Sequence, residues 1–357
     1  MPSSFSSFSD LSFNGSSFND ADFPAEPYPG ARPDGSYAHD QGQGVLLRPR
    51  DGAWFAGDQE LDDWLAERGA ASLAERVPVL VYGSNQCPSK ITWLRETLRL
   101  PGPAVVLRAR CADLAAVWAS GLRKRDGARP ATLAHSPGTM ETHAVWMATR
   151  EQVRVLDVCE GRGTRYGLAK LHSGLITLDD GSVVDGALSY VGLTDVRMPL
   201  LQNGERVRCA DLDQAAALAL QGGIGHHGLD VSFVDEEPEP DEWPGRLFVY
   251  GTLQPGASAW RLLEPFAEGP GTEHRLPGRL YDTGLGYPAL RLGDGPGVPG
   301  RAVVLRDPAT AFPVLDEYEG EEYRRVRITL ADGLVAWTYV WVREVAGMPE
   351  LASGWLI

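Results

Sequence analysis

Two glutamates occupy the same short motif, Leu-Asp-x-x-Glu-Gly, once in each half of the chain. Glu160 closes the first copy and Glu319 closes the second. The leucine is expected to anchor a short helix, and the glycine closes a turn directly after the acid. A lone carboxylate beside an apolar, aromatic pocket has a raised pKa, so it can accept and return a proton near neutral pH. The alternative is that both glutamates are surface acids at helix ends.

A second motif, an apolar strand that stops at Tyr-Gly-Ser/Thr, precedes each glutamate. The copies are Tyr82-Gly83-Ser84-Asn85 and Tyr250-Gly251-Thr252-Leu253. Tyr82 lies 78 residues before Glu160, and Tyr250 lies 69 residues before Glu319. Glycine lets a ligand approach the backbone, so the N–H groups of such a loop can face an anion or a developing oxyanion. A plain strand-to-helix turn, or a tyrosine packed in the core, would have the same sequence. The pairing of loop and acid in both halves favours a site.

The segments around these motifs predict two similar domains. The repeated loop and acid place the first domain at residues 77–231 and the second at 246–357, joined by an acidic, proline-containing linker at 232–245. A helix is expected over 212–220, ending at Gly222-Gly223. The second domain is rich in predicted strands (301–305, 326–330 and 336–341), which favours a small barrel.

The first 76 residues look different from the rest. Residues 1–44 contain Leu11 as their one aliphatic core residue and Arg32 as their one basic residue, so we expect a disordered Ser/Phe-rich tail. Its partner, if it has one, is unknown. The tail carries five spaced phenylalanines: Phe5, Phe8, Phe13, Phe18 and Phe23. Residues 45–76 are expected to form a helical leader, based on the stretch 59–65.

Composition excludes several classes of partner. The chain has 357 residues, which favours two domains, and 33 Lys+Arg against 48 Asp+Glu give a net charge of −15. That charge opposes binding to nucleic acid or to an anionic membrane. The 4 cysteines form no CxxC pair, and neither a membrane-spanning apolar run nor a secretory signal is visible. We therefore expect a cytoplasmic protein with reduced thiols.

The two motifs resemble those of the gamma-glutamylcyclotransferase-like family, and they do so twice. The first half also has a glycine- and histidine-rich stretch at 222–229 that is similar to the end of the longer family members. The second half resembles the compact gamma-glutamylamine cyclotransferase branch in the segments 248–256, 286–290, 323–325 and 353–355. The resemblance implies an α+β fold with two tandem domains, each a small mixed β-barrel with flanking helices.

The resemblance also implies a reaction. In it, the α-amino group of a γ-glutamyl amide or dipeptide attacks its own γ-carbonyl, which releases pyroglutamate (5-oxoproline) and an amine or amino acid. This is a transferase or lyase reaction on a small γ-glutamyl molecule. Glu319 and Glu160 would move the proton, and the amides of Gly83-Ser84-Asn85 and Gly251-Thr252-Leu253 would hold the glutamyl group. Tyr82 and Tyr250 would line the pockets, and Tyr323 would hydrogen-bond near the acid. No metal and no cofactor is expected.

Other interpretations stay open at this point. Either domain could bind a small amide without turning it over, or one copy could be a scaffold for the other. Cys159 could be a nucleophile, but no histidine is placed to activate it. The pair His226-His227 lacks a third ligand at a usual metal-binding spacing. The run Arg123-Lys124-Arg125 is interpreted as a solvated loop. Departures from the family pattern at 86–88 and 162–166 leave the substrate of the first domain open.

Overall fold

The computed structural model describes residues 17–50 and 52–355, and its architecture is mixed α+β. The chain divides into two compact units. The first comprises Met1–Asp179 and Asp185–Pro238, and the second comprises Asp180–Val184 and Glu239–Ile357. Residues 180–184 fall within the predicted first domain, 77–231. They belong to the second unit because Ser182 hydrogen-bonds Thr329 and Val183 forms a bridge with Leu334. No helix in the described ranges is long and apolar enough to cross a membrane.

The first unit is built mainly from strands. Its helices are α1 (Leu61–Ala66), α2 (Pro88–Leu98), α3 (Arg150–Glu160) and α4 (Gln214–Ala219). Its strands are β1 (Ser17–Asn19), β2 (Tyr37–Asp40), β3 (Gln43–Arg50), β4 (Ala53–Ala56), β5 (Gln59–Glu60), β6 (Val77–Val81), β7 (Ala104–Trp118), β8 (Ala131–Ala148), β9 (Tyr166–Leu171), β10 (Leu175–Leu178), β11 (Leu188–Gly192), β12 (Leu200–Gln202), β13 (Glu205–Arg206), β14 (Gly223–Ile224) and β15 (Val231–Phe233).

One large sheet organises this unit. Its strand order is β15-β9-β11-β6-β8-β7-β2-β3-β4-β5, with β1 paired to β3 and β10 paired to β7. Strand β6 lies inside the sheet, antiparallel to β8 and parallel to β11. All its residues are buried, as expected for a strand that is covered on both faces. The Tyr-Gly-Ser-Asn loop therefore begins at the end of a rigid central strand.

The second unit repeats this local arrangement in a smaller sheet. Its elements are β16 (Arg246–Val249), α5 (Trp260–Leu263), β17 (Thr272–Leu276), β18 (Gly278–Asp282), β19 (Pro288–Leu292), β20 (Val298–Val304), α6 (Pro308–Glu319), β21 (Tyr323–Thr329) and β22 (Val335–Trp341). The sheet order is β17-β20-β16-β22-β21, and β18 pairs with β19 separately. Strand β16 is antiparallel to β20 and parallel to β22, as β6 is to β8 and β11.

The predicted barrels are not found in the described parts of the two units. In each unit the hydrogen-bonded order has two ends that do not pair with each other: β15 and β5 in the first, β17 and β21 in the second. A barrel requires its first and last strands to pair. The strands predicted for the second domain are confirmed, since β20, β21 and β22 coincide with them to within three residues at each end.

The prediction of a disordered tail is wrong for residues 17–44. Phe18 and Phe23 are buried, and the Phe18 ring centroid lies 4.9 Å from that of Phe23 and 5.7 Å from that of Tyr37. Gly44 makes room for this cluster, because a Cβ there would lie 2.0 Å from the Phe18 ring. Aromatic side chains thus supply the buried apolar area that the missing aliphatic residues do not. Phe5, Phe8 and Phe13 lie outside the described residues.

The predicted helical leader at 45–76 contains more strand than helix in its described residues. Strands β3, β4 and β5 occupy its first half, and burial alternates along Ala53–Ala56, which is the period of a strand. The helical part is α1, where Leu61 and Leu65 are buried one turn apart. Helix α4 lies inside the stretch predicted at 212–220 and is capped by Asp213, but it ends before Leu220, so Gly222-Gly223 is not its cap. Strand β15 takes the first residues of the predicted linker.

Candidate active sites

The tyrosines of the two strand-end loops are held in the same way. Tyr82 Oη donates to the carbonyl of Tyr190 at 2.5 Å, and Tyr250 Oη donates to the carbonyl of Tyr339 at 2.7 Å. Tyr190 lies in β11 and Tyr339 in β22, the parallel neighbours of β6 and β16. Burial raises the pKa of both Tyr82 and Tyr250, so each phenol stays protonated and keeps its hydrogen bond. Each loop therefore begins at a tyrosine whose position is fixed by this hydrogen bond.

The loop glycines are required by close packing. A Cβ on Gly83 would lie 2.7 Å from Tyr28 Oη, and a Cβ on Gly251 would lie 2.9 Å from Pro288 Cγ. The next two N–H groups in each loop make no hydrogen bond to any described residue; they belong to Ser84 and Asn85, and to Thr252 and Leu253. Since a buried or half-buried N–H needs an acceptor, these groups are available to a bound ligand.

Each glutamate is the last residue of a helix. Glu160 ends α3 and Glu319 ends α6. The leucine four residues earlier in each motif is fully buried and anchors the last turn. The following glycines, Gly161 and Gly320, have φ of +68° and +63°, a conformation that favours glycine. These two constraints turn each acid toward the loop of its own unit, as the motif predicts.

The aspartate of the motif has a positioning role that the sequence did not reveal. Tyr190 Oη donates to Asp157 Oδ1, and Tyr339 Oη donates to Asp316 Oδ1, both at 2.7 Å. Each aspartate therefore joins the helix that carries the acid to the strand that holds the loop tyrosine. Each also pairs with an arginine at 3.0 Å: Arg162 in the first unit and Arg325 in the second.

The first unit encloses a cavity of about 660 Å³ beside Glu160. Asn85 Nδ2 donates to Glu160 Oε1 at 2.7 Å, so the loop contacts the acid directly. Burial raises the pKa of Glu160, while the hydrogen bond from Asn85 and the nearby cations oppose that rise. All residues predicted for this site line the cavity: Tyr82, Gly83, Ser84, Asn85 and Glu160.

Six basic side chains line the same cavity: Lys90, Arg123, Lys124, Arg125, Arg165 and Arg197. The loop between β7 and β8 that carries Arg123-Lys124-Arg125 is solvated as predicted, since Lys124 and Arg125 are exposed, but its three basic residues also line the cavity. Lys90 and Arg197 are only 7% and 6% exposed. Arg197 lies 36 residues after Gly161, so no local pattern could have assigned it to the site. Lys90 lies five residues after Asn85, in the helix that follows the loop, and its nearness to that loop is the one signal that could have found it.

The N-terminal segment also contributes to this cavity. Tyr28 lines it, and Tyr28 Oη accepts a hydrogen bond from the Ala131 N–H at 2.9 Å. Cys159 lies in the wall as well, but burial raises the pKa of its thiol to about 11, so it is a poor nucleophile at neutral pH. His226 and His227 are engaged in a turn, where each Nδ1 accepts from the backbone N–H two residues later.

The second unit encloses a smaller cavity, of about 200 Å³, beside Glu319. Burial, with a smaller contribution from Asp316, raises the pKa of Glu319 to about 8. The lining contains a further carboxylate, Glu322, which accepts from Tyr287 Oη at 3.0 Å, and no basic residue. The residues predicted for this site all line the cavity: Tyr250, Gly251, Thr252, Leu253, Glu319 and Tyr323.

Tyr323 is close to the acid but bonded elsewhere. Its Oη donates to the carbonyl of Pro288 at 2.8 Å, so it holds the opposite wall of the cavity. Tyr318 lies beside the loop, with its Oη 3.3 Å from Thr252 Oγ1. The aromatic residues thus build a narrow cavity around an acid of raised pKa and two N–H groups.

The geometry defines a mixed α+β protein in which a strand-end loop faces a helix-end carboxylate in each unit. Residues 247–356, about a third of the chain, match the family model described as Gamma-glutamyl cyclotransferase, AIG2-like. The resemblance predicted for the second half is therefore confirmed at the level of the family. The first copy and the particular branch stay predictions. No curated protein matches the chain.

Several solved structures are similar to parts of the chain. An uncharacterised protein of Pyrococcus horikoshii is 25% identical over 30% of this chain and 86% of its own, with a TM-score of 0.26. A structure described as a gamma-glutamyl cyclotransferase is 20% identical over 34% of this chain and 68% of its own, with a TM-score of 0.28. YkqA from Bacillus subtilis is 14% identical over 75% of this chain and 85% of its own, with a TM-score of 0.24. All three TM-scores lie below 0.5, so these likenesses carry no conclusion about function.

Proposed function

We propose that this protein is a γ-glutamyl cyclotransferase that releases pyroglutamate from γ-glutamyl amides, with the second unit as a catalytic domain. One observation carries the proposal. Glu319 has its pKa raised to about 8 and lies in a small cavity with the unpaired N–H groups of Thr252 and Leu253. The family match over 247–356 supports the same reaction class.

The reaction needs a proton carrier, which Glu319 supplies. The α-amine of the substrate has a pKa of about 8 and is mostly protonated at pH 7, so it must lose a proton before it can attack. Its nitrogen then forms a bond to the γ-carbonyl carbon, and the bond from that carbon to the leaving nitrogen breaks. The proton lost before attack goes to solvent. Once the new bond has formed, ionised Glu319 takes a second proton from the attacking nitrogen and gives it to the leaving nitrogen, and the released amine regains one proton from solvent. The acid ends in its starting state, and no water, metal or cofactor is consumed.

The loop amides hold the part of the substrate that reacts. No basic residue lines the second cavity, so the carboxylate of the glutamyl group must be met by N–H donors. The same donors can stabilise negative charge on the γ-carbonyl oxygen as the ring closes. Both reacting atoms belong to one molecule, and holding such atoms in place is worth effective molarities of about 10⁵ M or more. A narrow cavity that bends the glutamyl chain therefore provides much of the catalysis.

The first unit is proposed to be a second copy of the same domain. Asp157, Tyr82 and Tyr190 repeat the contacts of Asp316, Tyr250 and Tyr339 with nearly the same distances. Glu160 ends its helix as Glu319 does. Two alternative functions of these cavities remain candidates. A binding module would use the same cavities without turnover, and a scaffold copy would leave one glutamate idle. A cytoplasmic location stays a prediction.

The test is a panel of γ-glutamyl amides and dipeptides scored for pyroglutamate. It uses the full-length protein and the variants Glu160→Gln and Glu319→Gln. Loss of release in Glu319→Gln alone places the chemistry in the second unit, and loss in Glu160→Gln alone places it in the first. Binding of the compounds without any pyroglutamate would support the binding module and contradict the enzyme.

A further inference from the structure

The first cavity carries an excess of positive charge that its proposed reaction does not need. Six basic side chains line it against one carboxylate, Glu160, although the chain as a whole has a net charge of −15. Two of the six share one carboxylate: Arg123 and Arg125 lie 2.9 and 3.2 Å from Asp126, whose single charge offsets only one of them. Arg123 also lies 3.9 Å from Glu26.

The other four cations have no carboxylate within 4.0 Å in the part of the chain that the structure describes: Lys90, Lys124, Arg165 and Arg197. Arg165 donates to the carbonyls of Glu160 and Cys159 at the end of α3. Arg197 donates to the carbonyl of Val196 at 3.0 Å. Lys90 Nζ lies 3.3 Å from the centre of the Trp93 ring.

The burial of two of these cations makes the missing counter-charge significant. Lys90 and Arg197 are more than nine-tenths buried, and both face the cavity. A buried charge is costly unless an opposite charge or several hydrogen bonds compensate it. Glu160 is the one carboxylate in the lining and carries at most one negative charge, so it cannot balance both. An anionic ligand in the cavity would supply the compensation.

The second cavity shows that the glutamyl group does not account for these cations. It has the same loop and acid but is lined by no basic residue. On the proposed function, the glutamyl carboxylate is held by loop N–H groups in both units. The cations of the first cavity are then left for the other part of the ligand, and a cavity of about 660 Å³ against about 200 Å³ leaves room for it.

We propose that the first cavity takes a γ-glutamyl conjugate whose leaving part carries two or more negative charges, as a phosphate monoester or as a run of carboxylates. A single carboxylate would leave most of the unpaired cations without a partner. Lys124 and Arg125, at the exposed mouth of the cavity, meet the outer charge, while Lys90 and Arg197 meet the inner one. The inference rests on the proposed function for the identity of the glutamyl part only.

The test measures equilibrium binding by calorimetry to the full-length Glu160→Gln/Glu319→Gln protein, which should not consume the ligands. The ligands are γ-glutamyl-ethylamide, γ-glutamyl-glycine, γ-glutamyl-phosphoethanolamine and γ-glutamyl-γ-glutamyl-glutamate, whose leaving parts are neutral, singly charged and, in the last two, multiply charged. At about 50 mM salt we expect the last two to bind at least about tenfold more tightly than the neutral amide, and salt should reduce the difference. The tighter of the two identifies phosphate or carboxylate as the preferred group.

Two further substitutions locate the effect. Lys124→Gln/Arg125→Gln changes only exposed side chains, so it should fold normally, and we expect it to weaken binding of the multiply charged ligands about fivefold. The control is Arg110→Gln, which removes an exposed arginine of β7 that does not line the cavity, and binding should be unchanged. Equal binding of the neutral and charged ligands, or no loss in Lys124→Gln/Arg125→Gln, would overturn the inference.

The outcome is separable from that of the proposed function. Pyroglutamate release from the same four compounds is measured with the otherwise unchanged protein. Tight binding of the charged ligands without any release of pyroglutamate would contradict the cyclotransferase activity and support the proposal that the first cavity binds an anionic ligand. Release of pyroglutamate without a preference for charged ligands would contradict the proposal of an anionic ligand and support the cyclotransferase activity.

Discussion

The two cavities share a frame and differ in their lining. In both, a tyrosine at a strand end bonds to the neighbouring parallel strand, an aspartate holds that strand to a helix, and the helix ends in a glutamate. The first cavity is about three times larger and lined by six cations, whereas the second is aromatic and lined by two carboxylates. On the proposed function, the shared frame moves the proton, and the different linings select the ligand.

The difference in lining has a structural source. The cations of the first cavity come mostly from segments outside the repeated motifs: Lys90 from α2, Arg123–Arg125 from the loop between β7 and β8, and Arg197 from the turn after β11. Tyr28 comes from the N-terminal segment. Because the frame is held by its own hydrogen bonds, these segments can differ between the units without disturbing the frame.

The largest expected effect is the loss of the carboxylate. Glu319→Gln should lower pyroglutamate release from a neutral γ-glutamyl amide by about 10²- to 10⁴-fold, the usual range for a general acid–base. The matched control is Glu322→Gln in the same cavity, which should change the rate less than about tenfold because Glu322 bonds to Tyr287. If both variants lose activity equally, charge in the cavity matters and Glu319 has no special role.

The N-terminal segment should matter to the first unit alone. Phe18→Ala removes a buried ring from a packed cluster and should lower the free energy of unfolding of that unit by about 3–5 kcal/mol. Denaturation followed by hydrogen exchange reports each unit separately. Phe233→Ala, at a half-exposed ring of β15, is the control and should cost about 1 kcal/mol or less. An unchanged first unit in Phe18→Ala would mean that the segment does not pack there.

The two cavities should also differ in pH dependence. With Glu160→Gln, activity comes from the second cavity, and kcat/KM should rise with pH until Glu319 is ionised near its pKa of about 8. With Glu319→Gln, the rise should occur at lower pH, because Asn85 and nearby cations oppose the effect of burial on Glu160. If the two variants have identical pH profiles of kcat/KM, ionisation of Glu160 and Glu319 does not determine those profiles.

Stability should follow the same ionisation. A raised pKa means that Glu319 favours folding while it is protonated, so this contribution is complete below its ordinary value of 4.5 and is lost as pH rises through about 8. Glu319→Gln should therefore gain stability relative to the unchanged protein as pH increases across that window. Thermal melting of both proteins over this range measures the difference, and a constant difference would contradict the raised pKa.

The smallest expected effect tests the equivalence of the frames. Tyr82→Phe and Tyr250→Phe each remove a donor to a backbone carbonyl and should each cost about 1 kcal/mol of unfolding free energy. Tyr281→Phe is the control, since its hydroxyl has no hydrogen bond to a described residue. Chemical denaturation measures all three. A large loss in one unit and none in the other would show that only one unit depends on this bond.

Local sequence patterns predicted the frame but not the lining. Each glutamate lies within one short motif, and its position follows from a buried leucine and a left-handed glycine, both readable from neighbouring residues. The bond from Asp157 to Tyr190, by contrast, joins residues 33 positions apart through sheet topology. Arg197 reaches the cavity in the same way. Such contacts require the fold to be known.

The N-terminal segment shows a second kind of limit. Its composition resembles that of disordered chains, because a prediction of disorder from composition depends on aliphatic residues and charge. Phe18, Phe23 and Tyr37 form a small aromatic core instead, and Gly44 provides the space for it. The barrel prediction failed because strand count alone does not determine whether the end strands pair.

The most direct test of the central claim is the yield of pyroglutamate from the full-length double variant Glu160→Gln/Glu319→Gln. It is measured beside the unchanged protein on γ-glutamyl-ethylamide and γ-glutamyl-phosphoethanolamine. We expect the unchanged protein to form pyroglutamate and the double variant, still folded by circular dichroism, to form none above the uncatalysed rate. Pyroglutamate at an undiminished rate from the double variant, or free glutamate as the product of the unchanged protein, would contradict ring closure by these two acids.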